Sequence, residues 1–213
     1  MPAVLAASAP ERVLFDFVEL LRFPVLLGVV VTLAAALYEV GILLMELHRR
    51  RGRAHGLLDA LMPQAREAIR AGDDQLAANV LRPLARGADA SDALHAITAS
   101  AGSVHAEPRA AKALADLDLR AMRRLERPRL LVRAGPALGL MGTLIPLSPA
   151  LAGLASGNVQ RLSDDLRAAF AVTVLGLLAG ALAYGVALVR DRLYAQDLSD
   201  LEFVAATLRE PAP

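Results

Sequence analysis

One carboxyl, and a single threonine in each of two other runs, stand inside long apolar stretches of this sequence. Glu39 is the only charged residue in any of them, and Thr143 and Thr173 fall one each in the other two. A carboxylate in a hydrocarbon environment costs roughly 2.5–3.5 kcal/mol on insertion scales, so Glu39 must face protein or water and have a partner. It precedes Arg49 by ten residues, about 15 Å of helix, too far simply to snorkel to a polar surface. Two roles fit it: a structural polar contact, or a relay for protons or cations. A threonine hydroxyl both donates and accepts. Thr143 and Thr173 are therefore suited to satisfying a loose backbone carbonyl or to facing a wet path.

The residues around the threonines are unusual. Gly135, Gly139, Gly142, Pro146, Pro149 and Gly153 follow one another at spacings of 4, 3, 4, 3 and 4, one stripe on a helix. Small residues let helices approach closely where lipid supplies little hydrophobic drive. Proline frees carbonyls that something else must satisfy. The stripe thus predicts either a tight helix–helix seam or a polar pathway beside one. Gly176 and Gly180 form a GxxxG, continued by Ala179, Ala183 and Ala187, with Thr173 on nearly the same side.

The elements that position these residues follow from hydropathy. Of 213 residues, 55% are hydrophobic, and the excess is concentrated in 23–45, 134–155 and 168–189. Each run exceeds the ~20 residues that a helix needs to cross a bilayer core. The expected fold is all-α: three transmembrane helices, with a helical cytoplasmic domain over 46–133, an external loop over 156–167 and a cytoplasmic tail over 190–213. Arginines near the span ends number fourteen on one side and four on the other. By the positive-inside rule the N-terminus is then outside and the C-terminus cytoplasmic.

Met1–Pro10 has no basic n-region and the first long apolar run begins only at Phe23, so a cleaved secretory signal is not expected. Ser8 and Glu11 have capping-box spacing, and Val13, Leu14, Phe17, Val18 and Leu21 recur at helical period. An interfacial helix and a helix packed on protein fit equally well. In the 46–133 domain, Gly72-Asp73-Asp74 reads as a stop followed by an N-cap, with Leu76, Val80, Leu81 and Leu84 as apolar positions. A longer helix over 107–127 carries Leu114, Leu117, Ala121 and Leu125 on one stripe and is expected to end at Arg127-Pro128, stacking as an extension of the second span.

Several function classes are excluded. There is no cysteine, hence no disulfide, thiolate chemistry or Cys-ligated metal. A net charge of +1 does not suit a nucleic-acid binder. No phosphate loop, HExxH or GxSxG is present, so neither an enzyme nor a cofactor is expected. A secondary-transporter half is disfavoured because three spans offer no inverted repeat.

The segment Gly135-Pro136-Ala137-Leu138-Gly139-Leu140-Met141-Gly142-Thr143-Leu144 resembles the glycine- and threonine-containing signature of the MotA/TolQ/ExbB proton-channel family. Phe170-Ala171-Val172-Thr173-Val174-Leu175-Gly176-Leu177 is similar to that family's pattern in its last span. The order of spans and domain agrees as well. The resemblance implies an inner-membrane motor or energy-transducing subunit, assembled as a pentamer around single-span partners of the ExbD, TolR or MotB kind that carry an aspartate. It implies that Thr143 and Thr173 line the pore. Many members place a glutamate five residues before the second threonine; Ala168 stands there here, and the Pro146/Pro149 pair is a second departure. The alternative reading is a non-conducting membrane scaffold, which needs neither a hydrated threonine pair nor a partner carboxylate.

Overall fold

The computed structural model describes residues 13, 17–50, 56–155 and 157–209. Over these residues the chain is helical throughout, in six helices: α1 (Arg22–Arg50), α2 (Leu57–Arg70), α3 (Asp74–Leu81), α4 (Ala88–Ser100), α5 (Ala106–Ala155) and α6 (Val159–Arg209). Phe17–Leu20 are helical ahead of α1; the Ser8/Glu11 pair lies outside the described residues. Three helices are long and apolar enough to cross a membrane: α1 with its leading turn, α5 and α6.

α1 buries a single stripe, Val25, Val29, Thr32, Ala36, Glu39 and Leu43, spaced 4, 3, 4, 3 and 4. Leu27, Val30, Val31, Leu37, Tyr38, Leu44 and Met45 point outward. The polar pair Thr32 and Glu39 is therefore on the inward side, where lipid would not reach it.

α5 and α6 run for 50 and 51 residues. At 1.5 Å per residue each is about 75 Å long, more than twice a ~30 Å hydrocarbon core. The expected end at Arg127-Pro128 is not found: α5 continues through Pro128, Pro136, Pro146 and Pro149. Each proline removes one N–H from the ladder. Bonds on either side hold the helix together, so the expected extension of the second span is one unbroken helix.

The connection between α5 and α6 is shorter than expected, because polar residues from Val159 onward already belong to α6. α5 ends in a Schellman motif: Asn158 N–H donates to the Gly153 carbonyl (2.9 Å) and Gly157 N–H to that of Leu154 (3.0 Å). Gly157 sits at φ +77°, the left-handed conformation this motif requires. The same motif stops α2, where Asp73 N–H reaches Ala68 O and Gly72 N–H reaches Ile69 O, with Gly72 at φ +75°. Asp73 then caps α3, its Oδ1 accepting from Leu76 N–H at 2.8 Å.

The chain folds as two compact units, the first made of Met1–Ile42 with Pro128–Val186 and the second of Leu43–Arg127 with Ala187–Pro213. The second has its own apolar core. Met62 and Ala65 of α2, Leu81 of α3, Leu84, Leu94 and Ile97, Leu117 of α5, and Leu201, Val204 and Leu208 of α6 are buried together. Leu76, expected among the apolar positions of α3, is half exposed; Ala77 and Ala78 are buried instead.

Candidate functional site

The first unit is organised around backbone contact between α5 and α6. A Cβ placed on Gly176 would lie 2.5 Å from the Gly135 carbonyl oxygen and 2.8 Å from Gly139 Cα; one on Gly135 would lie 2.6 Å from the Gly176 carbonyl oxygen. Real Cβ atoms do not approach so closely, so only glycine permits this spacing. At Gly142 the neighbour is a side chain, that of Val172, packed so close that a Cβ would clash with its Cγ1. Gly180 lies over Pro136, where a Cβ would fall 2.8 Å from the ring Cδ and 3.3 Å from the Val132 carbonyl oxygen. Val132 is the residue whose carbonyl loses its i+4 donor to Pro136. α6 thus lays its backbone over that carbonyl.

Thr173 sits in this contact. Its hydroxyl reaches the Gly139 carbonyl of the other helix at 3.2 Å and the Ala169 carbonyl of its own at 3.4 Å. Thr143, one turn beyond Gly139, is half-buried and donates to the Leu140 carbonyl of its own helix at 2.7 Å. The two threonines differ, then: one ties the helices together and the other is bonded locally. Pro146 and Gly153 are buried and Pro149 is half-buried. Gly153 also supplies the carbonyl that closes the Schellman motif.

On α1, Glu39 is 6% exposed and Thr32 equally so. Thr32 donates to the Gly28 carbonyl at 2.7 Å. A Cβ on Gly28 would meet Leu138 of α5 at 3.3 Å, so α1 packs on the same hairpin. Arg22 reaches Asp165 at 3.4 Å, joining the beginning of α1 to the beginning of α6. The spacing of seven between Thr32 and Glu39 was a readable signal for Thr32, which sequence reasoning passed over.

The family model of the MotA/TolQ/ExbB proton channel family matches residues 90–202. The chain belongs to the MotA/TolQ/ExbB proton channel family. No curated protein and no solved structure gives a significant match. The chain is accordingly a multi-pass membrane protein of a proton-channel family, which is not a family of enzymes. The matched stretch holds the whole α5–α6 glycine contact and both threonines; Glu39 lies outside it.

The second unit of this MotA/TolQ/ExbB chain carries a charge cluster with no local signature in the sequence. Arg50 donates to both carboxylate oxygens of Asp197, at 2.9 and 2.6 Å, and to Glu46 Oε1 at 3.0 Å. Arg190 approaches Glu46 Oε2 at 3.7 Å. All four side chains are largely buried, at 5–20% exposure. Burial alone would lower the Arg50 pKa; Asp197, then Glu46, more than offset it, and the net shift is upward. Beside the cluster, Tyr194 is pushed above 10.0, chiefly by burial and then by Glu46, while Arg190 and Arg124 pull the other way. Arg86 donates to the Arg50 carbonyl and Arg66 to that of Thr207, so arginines supply donors to the last turns of α1 and α6. Among the described residues there is no group of acidic and histidine side chains able to hold a metal.

Proposed function

We propose that the chain is the ring-forming subunit of a proton-driven motor or energy-transducing complex of the inner membrane. The observation that carries this reading is the family match over 90–202, which includes both threonine-bearing segments of the α5–α6 hairpin. In this reading five copies surround a dimer of single-span partners of the ExbD, TolR or MotB kind, each with an intramembrane aspartate. The arginine distribution supports an external N-terminus, with 46–133 and the tail from 190 in the cytoplasm.

Thr143 and Thr173 are the pore hydroxyls, ordering water beside the partner's carboxylate. Both now bond backbone carbonyls, and a hydroxyl that donates to a carbonyl keeps lone pairs with which to accept from water. Glu39 is a secondary group on α1: as a structural hydrogen-bonding residue it tolerates Gln, whereas as a proton carrier it does not, since an amide cannot titrate.

The test is proton uptake into liposomes that hold the purified chain and the single-span, Asp-bearing protein co-isolated with it. Native mass spectrometry on the same sample gives the copy number. The reading expects five copies and flux that collapses in Thr143→Val and Thr173→Val and falls partially in Glu39→Gln. Monomer in mild detergent, or normal flux through an intact Thr143→Val, Thr173→Val double variant, leaves the scaffold reading ahead.

A further inference from the structure

Two of the α5 prolines treat their loose carbonyls differently. The Val132 carbonyl, deprived of its donor by Pro136, is covered by Gly180. The Gly142 carbonyl is deprived in the same way by Pro146, and there α6 brings a side chain, that of Val172, and not its backbone against the glycine. Gly142 and Pro146 instead border an open-sided cavity of about 30 Å³, whose other walls are Arg22 and Leu26 of α1, Ile145, and Ala168, Ala169 and Val172 of α6; Arg22, Leu26 and Ala168 are exposed at its mouth. Ile145 is itself the residue whose carbonyl loses its donor to Pro149.

A water molecule needs roughly 10–15 Å³ of such space and two to four polar partners, and purely apolar cavities of this kind stay dry. The volume of about 30 Å³ suits two or three waters. The walls are mainly apolar, yet they bring together the residues of two proline-deprived carbonyls and Arg22. An unmet carbonyl in a low-dielectric surrounding costs on the order of 1–3 kcal/mol, which a bound water recovers. The Arg22 charge disfavours a metal cation at the same place, even with Asp165 3.4 Å away.

We propose that this cavity is a water-binding site built by Pro146. Bound water accepts from Arg22 and donates to the Gly142 carbonyl. Ala169, which lines the cavity, also supplies a carbonyl to the Thr173 hydroxyl, so the site lies one helical turn from that group. The site belongs to the chain on its own and does not depend on the motor reading.

Water-edited solid-state NMR on the chain alone, in bilayers of lipid with deuterated acyl chains, tests it. Gly142 and Val172 should receive polarisation from water at least fivefold faster than Gly135 and Gly176, which lie in the closed part of the contact. Ala168→Leu fills the cavity and should abolish that difference. Pro146→Ala restores an N–H to the Gly142 carbonyl and should reduce it. If Ala168→Leu moves the Gly135 and Gly176 signals, Ala168→Val makes the same test with a smaller side chain. No transfer to Gly142 and Val172, or transfer undiminished by the filled cavity, overturns the proposal. So does contact of these residues with lipid acyl chains, read in a second sample with protonated lipid.

Discussion

Arg50 and Asp197, 147 positions apart in the chain, meet through two hydrogen bonds of 2.9 and 2.6 Å with both side chains almost out of solvent. The pair joins the end of α1 to α6, and Glu46 and Arg190 extend it into a cluster of two positive and two negative groups. Removing one member of such a pair leaves a buried charge, a loss of about 3–5 kcal/mol in comparable cases.

Asp197→Ala should therefore lower stability by about 3 kcal/mol, the low end because Glu46 still bonds Arg50. For a chain of this length that is a fall of roughly 6–12 °C in detergent melting temperature. The double variant Arg50→Met, Asp197→Leu leaves Glu46 opposite Arg190 with charge balanced. It should recover most of the loss, and a double variant no more stable than Asp197→Ala contradicts the pairing.

Tyr194 gives the cluster an alkaline limit. Its pKa is raised in the folded chain, so the folded state holds the phenolic proton more tightly than the unfolded state does. That contribution is complete below the ordinary tyrosine value near 10 and is lost as pH climbs through the higher folded value. Thermal unfolding followed from pH 9 to 11.5 should show wild-type stability falling above about pH 10. Tyr194→Phe should lack that component, so equal slopes for the two proteins refute it.

The glycines of the first unit separate sharply by surroundings. Gly176→Ala drives a methyl into the Gly135 carbonyl and Gly139 Cα, which are backbone and cannot yield, and should cost about 1–3 kcal/mol. Gly185 on the same helix has nothing within 4 Å of a Cβ. Gly185→Ala should leave stability unchanged or raise it by up to about 1 kcal/mol through helix propensity. Melting both variants beside wild type decides the point; matching behaviour is incompatible with the contact described.

Thr173 and Thr143 should part company in stability even if both matter for flux. Thr173→Val removes a hydrogen bond between helices, worth roughly 1 kcal/mol within a membrane bundle. Thr143→Val removes a bond to its own turn and should change stability by only a few tenths of a kcal/mol. A large drop in the melting temperature of Thr143→Val would show that its hydroxyl does more than the local bond.

Features written locally in the sequence were legible in it. Gly72-Asp73 encodes both a helix stop and the next helix's cap within adjacent residues, and both are present. Gly135 and Gly139 stand out in the sequence as small residues at helical spacing, and in the structure each lies at backbone distance from Gly176. Three apolar runs long enough to span predicted three helices long enough to span. What failed depended on context. Pro128 breaks a helix as an isolated rule, yet α5 passes through it. Leu76 looked like a core position, but an alanine-rich helix buries Ala77 and Ala78 with little trace in hydropathy. Asp164, Asp165 and Arg167 read as loop, although they only mark where α6 leaves the apolar zone. Arg50 and Asp197 carry no shared pattern, since nothing local relates residues 147 positions apart.

The glycine contact also decides what kind of mechanical part the hairpin is. Along Gly135, Gly139 and Gly176 there are no side chains, hence no rotamers to exchange and no interdigitated groups that can slip by one notch. The contact of α1 with the hairpin is of another kind, since at Gly28 it is made through the adjustable side chain of Leu138.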